Sequence, residues 1–200
     1  MIIGICGFQS SGKDTLGDFL IKKYGFKKLS YASAIKDIVS IVFGWSREKL
    51  EGITKEDREW REIVDDWWAT NLDMPNLTPR FVLQFFGTDL FRKYFHQDIW
   101  IKIIENQLIK LKDENIVITD CRFKNEIDLI IQYGGKMIHV HRNLPNWFND
   151  YKNGIEVEEA KKLHITETAW IKNKMDYEIE NNSSKEELYK KIENIIGIVN

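Results

Sequence analysis

Apolar positions change their spacing along the chain, and the changes divide it. "MIIGIC" is an unbroken apolar run ending at a glycine-rich turn, which predicts a buried parallel strand. "KDTLGDFLIKKYG" then places Leu16, Phe19 and Leu20 at helical spacing and stops at Gly25. "FKKLSYA" predicts a second strand and "ASAIKDIVSIVFGW" an apolar helix ending near Gly44. From about residue 46 to 112 the pattern is helical and rich in aromatics. Within it, "TPRFVLQFFGTDLFRKYF" starts with Thr78 as cap and Pro79 in the first turn, and "DIWIKIIENQLIKL" starts at Asp98. Strand patterns return in "NIVITD", "KMIHVHR" and "DYEIEN", with the helix "FKNEIDLIIQYGG" after the first of them. In the closing helix "SSKEELYKKIENII", Ser183 and Glu186 predict a capping box.

Strands alternating with helices predict an α/β fold, with a five-stranded parallel sheet as the middle of three layers. The expected organisation is one domain. Its core covers residues 1–44 and 113–200, interrupted by a mostly helical insertion at about 45–112. The polar segment at about 143–174 is long for a connection and reads as a lid.

Composition changes this picture little. Hydrophobic residues make up 43% and charged residues 30%, with a net charge of −2, so no broad basic surface for nucleic acid is expected. The chain shows neither a secretory leader pattern nor a membrane-length apolar run, which predicts a cytoplasmic protein, in the host cytoplasm if viral. Cys6 and Cys121 fall in or just after buried strands and are expected to be reduced. Trp60, Trp67 and Trp68 fit either a core or a homodimer interface.

The chemistry starts at Gly7–Lys13 in "GFQSSGKDT", a phosphate-binding loop between a strand and a helix. Backbone N–H groups and the helix dipole converge there, and Lys13 would reach the β- and γ-phosphates. Asp14 stands where Ser or Thr is usual. An acid among phosphates calls for a cation, so Asp14 would help hold Mg²⁺ while Thr15 bonds a phosphate oxygen. Alternatively Asp14 only stabilises the first helical turn. Asp120 ends an apolar strand, the expected second metal-side acid, and Arg122 suits bidentate contact with a phosphate. Arg142 ends the "HVHR" strand and would reach the phosphates from the start of the lid. No zinc-ligand spacing is present among the four His and two Cys.

"NKMD" (Asn173–Asp176) matches a guanine-reading pattern, but it precedes a strand, and "DCRF" lacks a switch glycine. A GTPase is therefore disfavoured. A kinase for a small phosphorylated acceptor must gather two anions and needs further cations, for which Lys36, Arg58, Arg80 and Arg92 are candidates.

The pieces "SGKDT", "AIKD", "EGI…DRE", "TPRFVLQFFGTDLFR", "DIWIK", "ITDCRFKNE", "GGKMIHVHR", "HITE" and "IENNSSKEEL" occur in one order across most of the chain. In that combination the sequence resembles the deoxynucleoside monophosphate kinases of tailed phages and large DNA viruses, which have the P-loop NTPase fold. The resemblance implies transfer of the γ-phosphoryl of ATP, bound with Mg²⁺, to a deoxynucleoside 5′-monophosphate. It implies that Ser11, Gly12, Lys13, Asp14 and Thr15 hold ATP and that Asp14 and Asp120 serve the metal. Lys36 and Arg122 would contact the acceptor phosphate, and Arg80, Gln84, Gly87, Thr88 and Trp100 would line its pocket. Arg58 stays a candidate acceptor cation that the charged run around it would equally leave as a solvated surface charge. Trp100 is equally suited to core packing. Glu126 would orient an arginine or the sugar. His164 and Glu167 match a motif of the family. The segment Asn143–Leu163 is longer and more acidic than the family's usual connection. The rival expectations are a kinase of another metabolite, such as dephospho-coenzyme A, and a nucleotide-binding module without fast transfer.

Overall fold

A computed structural model describes residues 1–199 of the chain. Two compact units are present, residues 1–30 with 104–200 and residues 31–103. The first is built on five parallel strands, β1 (Ile2–Cys6), β2 (Lys27–Leu29), β3 (Ile116–Ile118), β4 (Lys136–His141) and β5 (Tyr177–Glu180), in the order β2-β3-β1-β4-β5. The central strand β1 pairs Ile3 with Val117 on one side and Gly4 with Met137 on the other. All the pairings are parallel, as the unbroken apolar runs require.

Strand alternation assigns the two faces of the sheet. Ile3, Ile5, Val117, Ile138 and Val140 pack with Leu16 and Leu20 of α1 (Lys13–Tyr24) and with Leu188 and Ile192 of the last helix. Gly4 points the other way. A Cβ there would overlap Met137 and Ile130, so its glycine lets the helix over Lys124–Gln132 approach β1. Gly25 ends α1 at φ 68°, and its N–H bonds to Ile21 O at 3.1 Å.

The second unit is built from short helices: α2 (Ser33–Phe43), α3 (Arg47–Glu51), α4 (Lys55–Trp60), α5 (Asp66–Asn71) and α6 (Pro79–Gln84). Each of α3 to α6 carries a side-chain cap, from Ser46, Thr54, Asp65 and Thr78 respectively. Their core is Val39, Trp45, Leu50, Ala69, Leu77 and Val82, flanked by Phe43, Trp60, Trp68 and Phe86. Asp65 also accepts the indole N–H of Trp45 at 2.8 Å, so one carboxylate serves a cap and a core aromatic. Trp60 and Trp68 are thus core residues, whereas Trp67 is exposed.

After α6 the chain widens into a π-helix over Phe85–Phe95, closed by His96 N–H to Phe91 O at 3.0 Å. Then α7 (Ile99–Lys110) leaves the second unit at Ile104. In the first unit α8 (Lys124–Gln132) follows β3. The polar segment after β4 holds three short helices, α9 (Phe148–Lys152), α10 (Glu158–Lys161) and α11 (Ile165–Thr168), and α12 (Lys185–Val199) follows β5. The cap of α12 falls one residue later than expected. Ser184 Oγ, not Ser183, accepts the Glu187 N–H at 3.3 Å, because the first helical carbonyl is that of Ser184. Among the described residues, no helix is long and apolar enough to cross a membrane.

Candidate functional site

β1 and α1 set the phosphate-binding loop between them. Gly7 at φ 148° and Gly12 at φ 109° take conformations closed to most side chains, and Ser10 adds a positive φ of 63°. A Cβ on Gly7 would overlap the Val140 carbonyl, so the loop can leave β1 only with glycine there. Lys13 Nζ donates to Phe8 O at 2.6 Å. Burial, and then the nearby Arg122, push the Lys13 pKa below its ordinary value. A lysine so placed gains from an anion.

The two acids are oriented by hydroxyl groups. Thr119 Oγ1 donates to Asp14 Oδ1 at 2.8 Å, and Ser30 Oγ donates to Asp120 Oδ2 at 2.7 Å. The Asp14 side chain is 75% exposed and also lies 3.7 Å from Lys28 Nζ. No group of three or more His, Cys, Asp or Glu that could cage a metal occurs among the described residues. Two oriented carboxylates beside a phosphate loop instead fit Mg²⁺, which keeps waters and takes substrate oxygens as ligands.

Arg122 is held from both ends. Its backbone N–H and that of Phe123 donate to Glu126 Oε2 at 2.6 and 3.0 Å. Glu126 is therefore a buried cap for α8 that fixes the turn carrying Arg122, which is the first of the two roles expected of it, orienting an arginine. The Arg122 guanidinium donates to Glu167 Oε1 at 2.5 Å and to Thr166 O at 3.1 Å. Burial opposes its charge, but Glu167 outweighs this and raises its pKa. The "HITE" sequence explains the placement. His164 accepts the Thr166 N–H at 3.3 Å, starting α11 and setting Glu167 on its first turn.

The polar segment is tied to the phosphate loop by aromatic rings. Phe8 makes edge contacts with Trp147, Phe148 and Trp170, at centroid distances of 6.0, 6.0 and 5.3 Å. His139 lies buried against Phe148 and Trp170. Burial, and then His141, lower its pKa to about 4. Arg142 donates from Nε to Asn181 O at 2.7 Å and from Nη2 to Asn181 Oδ1 at 3.3 Å. Cys6 and Cys121 are both buried free thiols, and burial raises the Cys121 pKa well above its ordinary value. The "NKMD" stretch serves local backbone. Asn173 bonds Ala169 O and Trp170 O, and Asp176 accepts the Met137 N–H.

In the helical unit the expected acceptor cations lie among acids and carbonyls. Lys36 pairs with Glu51 at 3.0 Å, and Glu51 also accepts Arg47 at 2.7 Å. These two cations outweigh the effect of burial on Glu51 and hold its pKa at about 2. Arg58 donates to Gly52 O and Ile53 O, and Arg80 Nε pairs with Glu62 at 2.8 Å. Gly87 and Thr88 lie on the π-helix that Gln84 precedes. Trp100 is buried, and its indole N–H bonds Gly87 O at 2.8 Å, so it supports that segment from behind.

Arg61 was not among the expected residues. It is 9% exposed, and among the described residues its Nη1 reaches Leu50 O at 3.4 Å while its Nε has no hydrogen-bond partner. Burial and then Arg80 lower its pKa to about 10. In "DREWRE" it lies three residues after Arg58, on the same helical face, but the charged run hides it. Thr119, Ser30 and Asn181 escape sequence reasoning for a different reason: their roles depend on contacts distant along the chain.

The profile of the deoxynucleotide monophosphate kinase family matches residues 61–192. A protein of Acanthamoeba polyphaga mimivirus that carries the deoxynucleotide monophosphate kinase name is 32% identical over 172 residues, covering 79% of this chain and 81% of that protein. This chain belongs to the deoxynucleotide monophosphate kinase family. The enzyme is accordingly a phosphotransferase. Its relatives also include the deoxynucleotide monophosphate kinase of Enterobacteria phage T4, 23% identical with 99% of each chain covered. Two solved structures share its fold. Dephospho-CoA kinase from Campylobacter jejuni has a TM-score of 0.51 at 17% identity, covering 99% of this chain and 96% of that one. Shikimate kinase from Aquifex aeolicus has a TM-score of 0.50 at 14% identity, covering 98% and 96%. The kinase thus has the α/β fold with a five-stranded parallel sheet that its strand pattern predicted.

Proposed function

We propose that the enzyme transfers the γ-phosphoryl group of ATP to deoxynucleoside 5′-monophosphates, with the work divided by unit. In the sheet unit, Ser11, Gly12, Lys13 and Thr15 would bind the ATP phosphates, and Arg122 and Arg142 would bear on the transferred group. Asp14 and Asp120 would hold Mg²⁺, which when bound neutralises charge on the phosphates. In the helical unit, Lys36, Arg58 and Arg80, with the buried Arg61, are the cations for the acceptor. Gln84, Gly87 and Thr88 would contact it on a surface that Trp100 supports. The enzyme would act in the cytoplasm, and the domain plan is a P-loop kinase core carrying a helical acceptor-binding insertion.

The observation that carries this reading is the state of the cations. Lys13 is held on a loop carbonyl, Arg122 on one acid, and Arg61 lacks a carboxylate. Each can exchange its partner for a phosphate. Little covalent work falls to the protein in such a transfer, which depends mainly on positioning and charge.

The test is ADP release from ATP in the presence of dGMP, dTMP, dCMP or dAMP. Release that depends on one or more of them is expected. Release only with a non-nucleotide acceptor, or with none, contradicts the assignment.

A further inference from the structure

Asn181 follows β5, far in sequence from the phosphate loop, yet its side chain bonds directly to the loop backbone. Its Nδ2 donates to Ser11 O at 2.8 Å, and its backbone N–H donates to His141 O at 2.8 Å. Its own carbonyl and Oδ1 accept Arg142 at 2.7 and 3.3 Å. The side chain is only 4% exposed. Gly12 lies directly against it, and a Cβ on Gly12 would overlap Asn181 Nδ2.

The peptide bond gives these contacts a consequence. In a trans peptide the carbonyl and the following N–H point in opposite directions. The Ser11–Gly12 peptide is trans, since the chain has no cis bonds among the described residues. Holding Ser11 O toward Asn181 therefore turns the Gly12 N–H away from it. That N–H is one of those through which a glycine-rich loop makes an anion-binding nest. An amide suits this task because it donates from Nδ2 and accepts at Oδ1 at once, so one side chain sets the loop peptide and the Arg142 guanidinium together.

We infer that Asn181 is a positioning residue for phosphoryl transfer, one that fixes the Ser11–Gly12 peptide for ATP phosphate binding and couples it to Arg142. This rests on the proposed assignment of the loop to ATP. The hydrogen bonds of Asn181 among the described residues go to Ser11, His141 and Arg142, so its effect is expected on the ATP side. Asp in its place keeps an acceptor for Arg142 but, when ionised, cannot donate to Ser11 O. Ala removes both links.

The experiment is calorimetric titration of ADP and, separately, of the deoxynucleotide into wild type, Asn181→Ala and Asn181→Asp, with thermal melting of each. Wild-type ADP binding tests the ATP assignment independently of the variants. Asn181→Ala is expected to weaken ADP by about tenfold, the effect of one lost hydrogen bond, with deoxynucleotide affinity unchanged. Asn181→Asp is expected to weaken ADP at least as much, because a carboxylate would then face a carbonyl and approach the phosphates. In turnover, Asn181→Ala should lose additional rate that Arg142→Ala does not further reduce. Equal weakening of both nucleotides, unchanged ADP affinity in the folded variants, or failure of both variants to fold would overturn the inference.

Discussion

The two units hold their shape by different means. In the sheet unit, long-range strand register fixes the site. β1 leads into the loop, β3 into Thr119 and Asp120, β4 into Arg142, and β5 into Asn181, so each of these polar groups sits just beyond the carboxyl end of a parallel strand. In the helical unit no strand is present among the described residues. Helices of five or six residues are too short to be stable alone, and caps together with an aromatic core hold them. A site at strand ends is preorganised by the core beneath it. A site on short capped helices depends on each cap and each ion pair. That contrast separates residues whose loss should abolish chemistry from those whose loss should shift acceptor binding.

The largest expected effect lies in the sheet unit. Lys13→Ala should lower kcat by about 10³-fold or more if, as proposed, Lys13 neutralises charge on the ATP phosphates during transfer. Its melting temperature should remain near that of wild type. A folded variant with near-normal turnover would break the division.

Acid stability probes the same unit. The His139 pKa is about 4 in the folded chain, below the ordinary value near 6.5, so the unfolded chain takes up the proton first as pH falls. Stability from the neutral ring is therefore complete above pH 6.5 and declines down to about pH 4. The loss across that range should approach about 3 kcal/mol. Denaturant titrations of wild type and His139→Phe at pH 7 and pH 4.5 measure it. An equal acid loss in the two proteins would remove His139 from the account.

In the helical unit, Arg61→Met sharpens the comparison. Replacing an underpaired buried cation with an apolar side chain is often neutral or stabilising, so the melting temperature should hold or rise. The acceptor KM should nevertheless rise by about tenfold, the worth of one charge-assisted contact. A fall in melting temperature with unchanged KM would make Arg61 a clamp for the α3–α4 loop instead.

The smallest effect concerns the start of α12. Ser184→Ala should cost about 1 kcal/mol and Ser183→Ala close to nothing. Chemical denaturation of both variants decides the register of that cap.

What the sequence revealed follows the same contrast. Unbroken apolar runs such as "MIIGIC" and "IVI" mark the strands, and the loop motif with a strand-end acid marks the expected phosphate side, because local patterns carry both. Glu126 illustrates the limit. Its position three residues into a helix suits a cap, but only the fold shows the carboxylate turned onto the Arg122 and Phe123 amides. Glu167 and Asn181 act through partners 45 and 170 positions away in the chain. No local pattern encodes those distances. The π-helix at Phe85–Phe95 was equally hidden, since its apolar spacing resembles that of an ordinary helix.

The division of labour is tested most directly by paired steady-state titrations of Arg80→Ala, varying ATP and deoxynucleotide in turn. The account predicts a deoxynucleotide KM raised by about tenfold to a hundredfold, from the loss of one or two charge-assisted bonds, with the KM for ATP within twofold of wild type. An unchanged deoxynucleotide KM, or an equal rise in both, would contradict it.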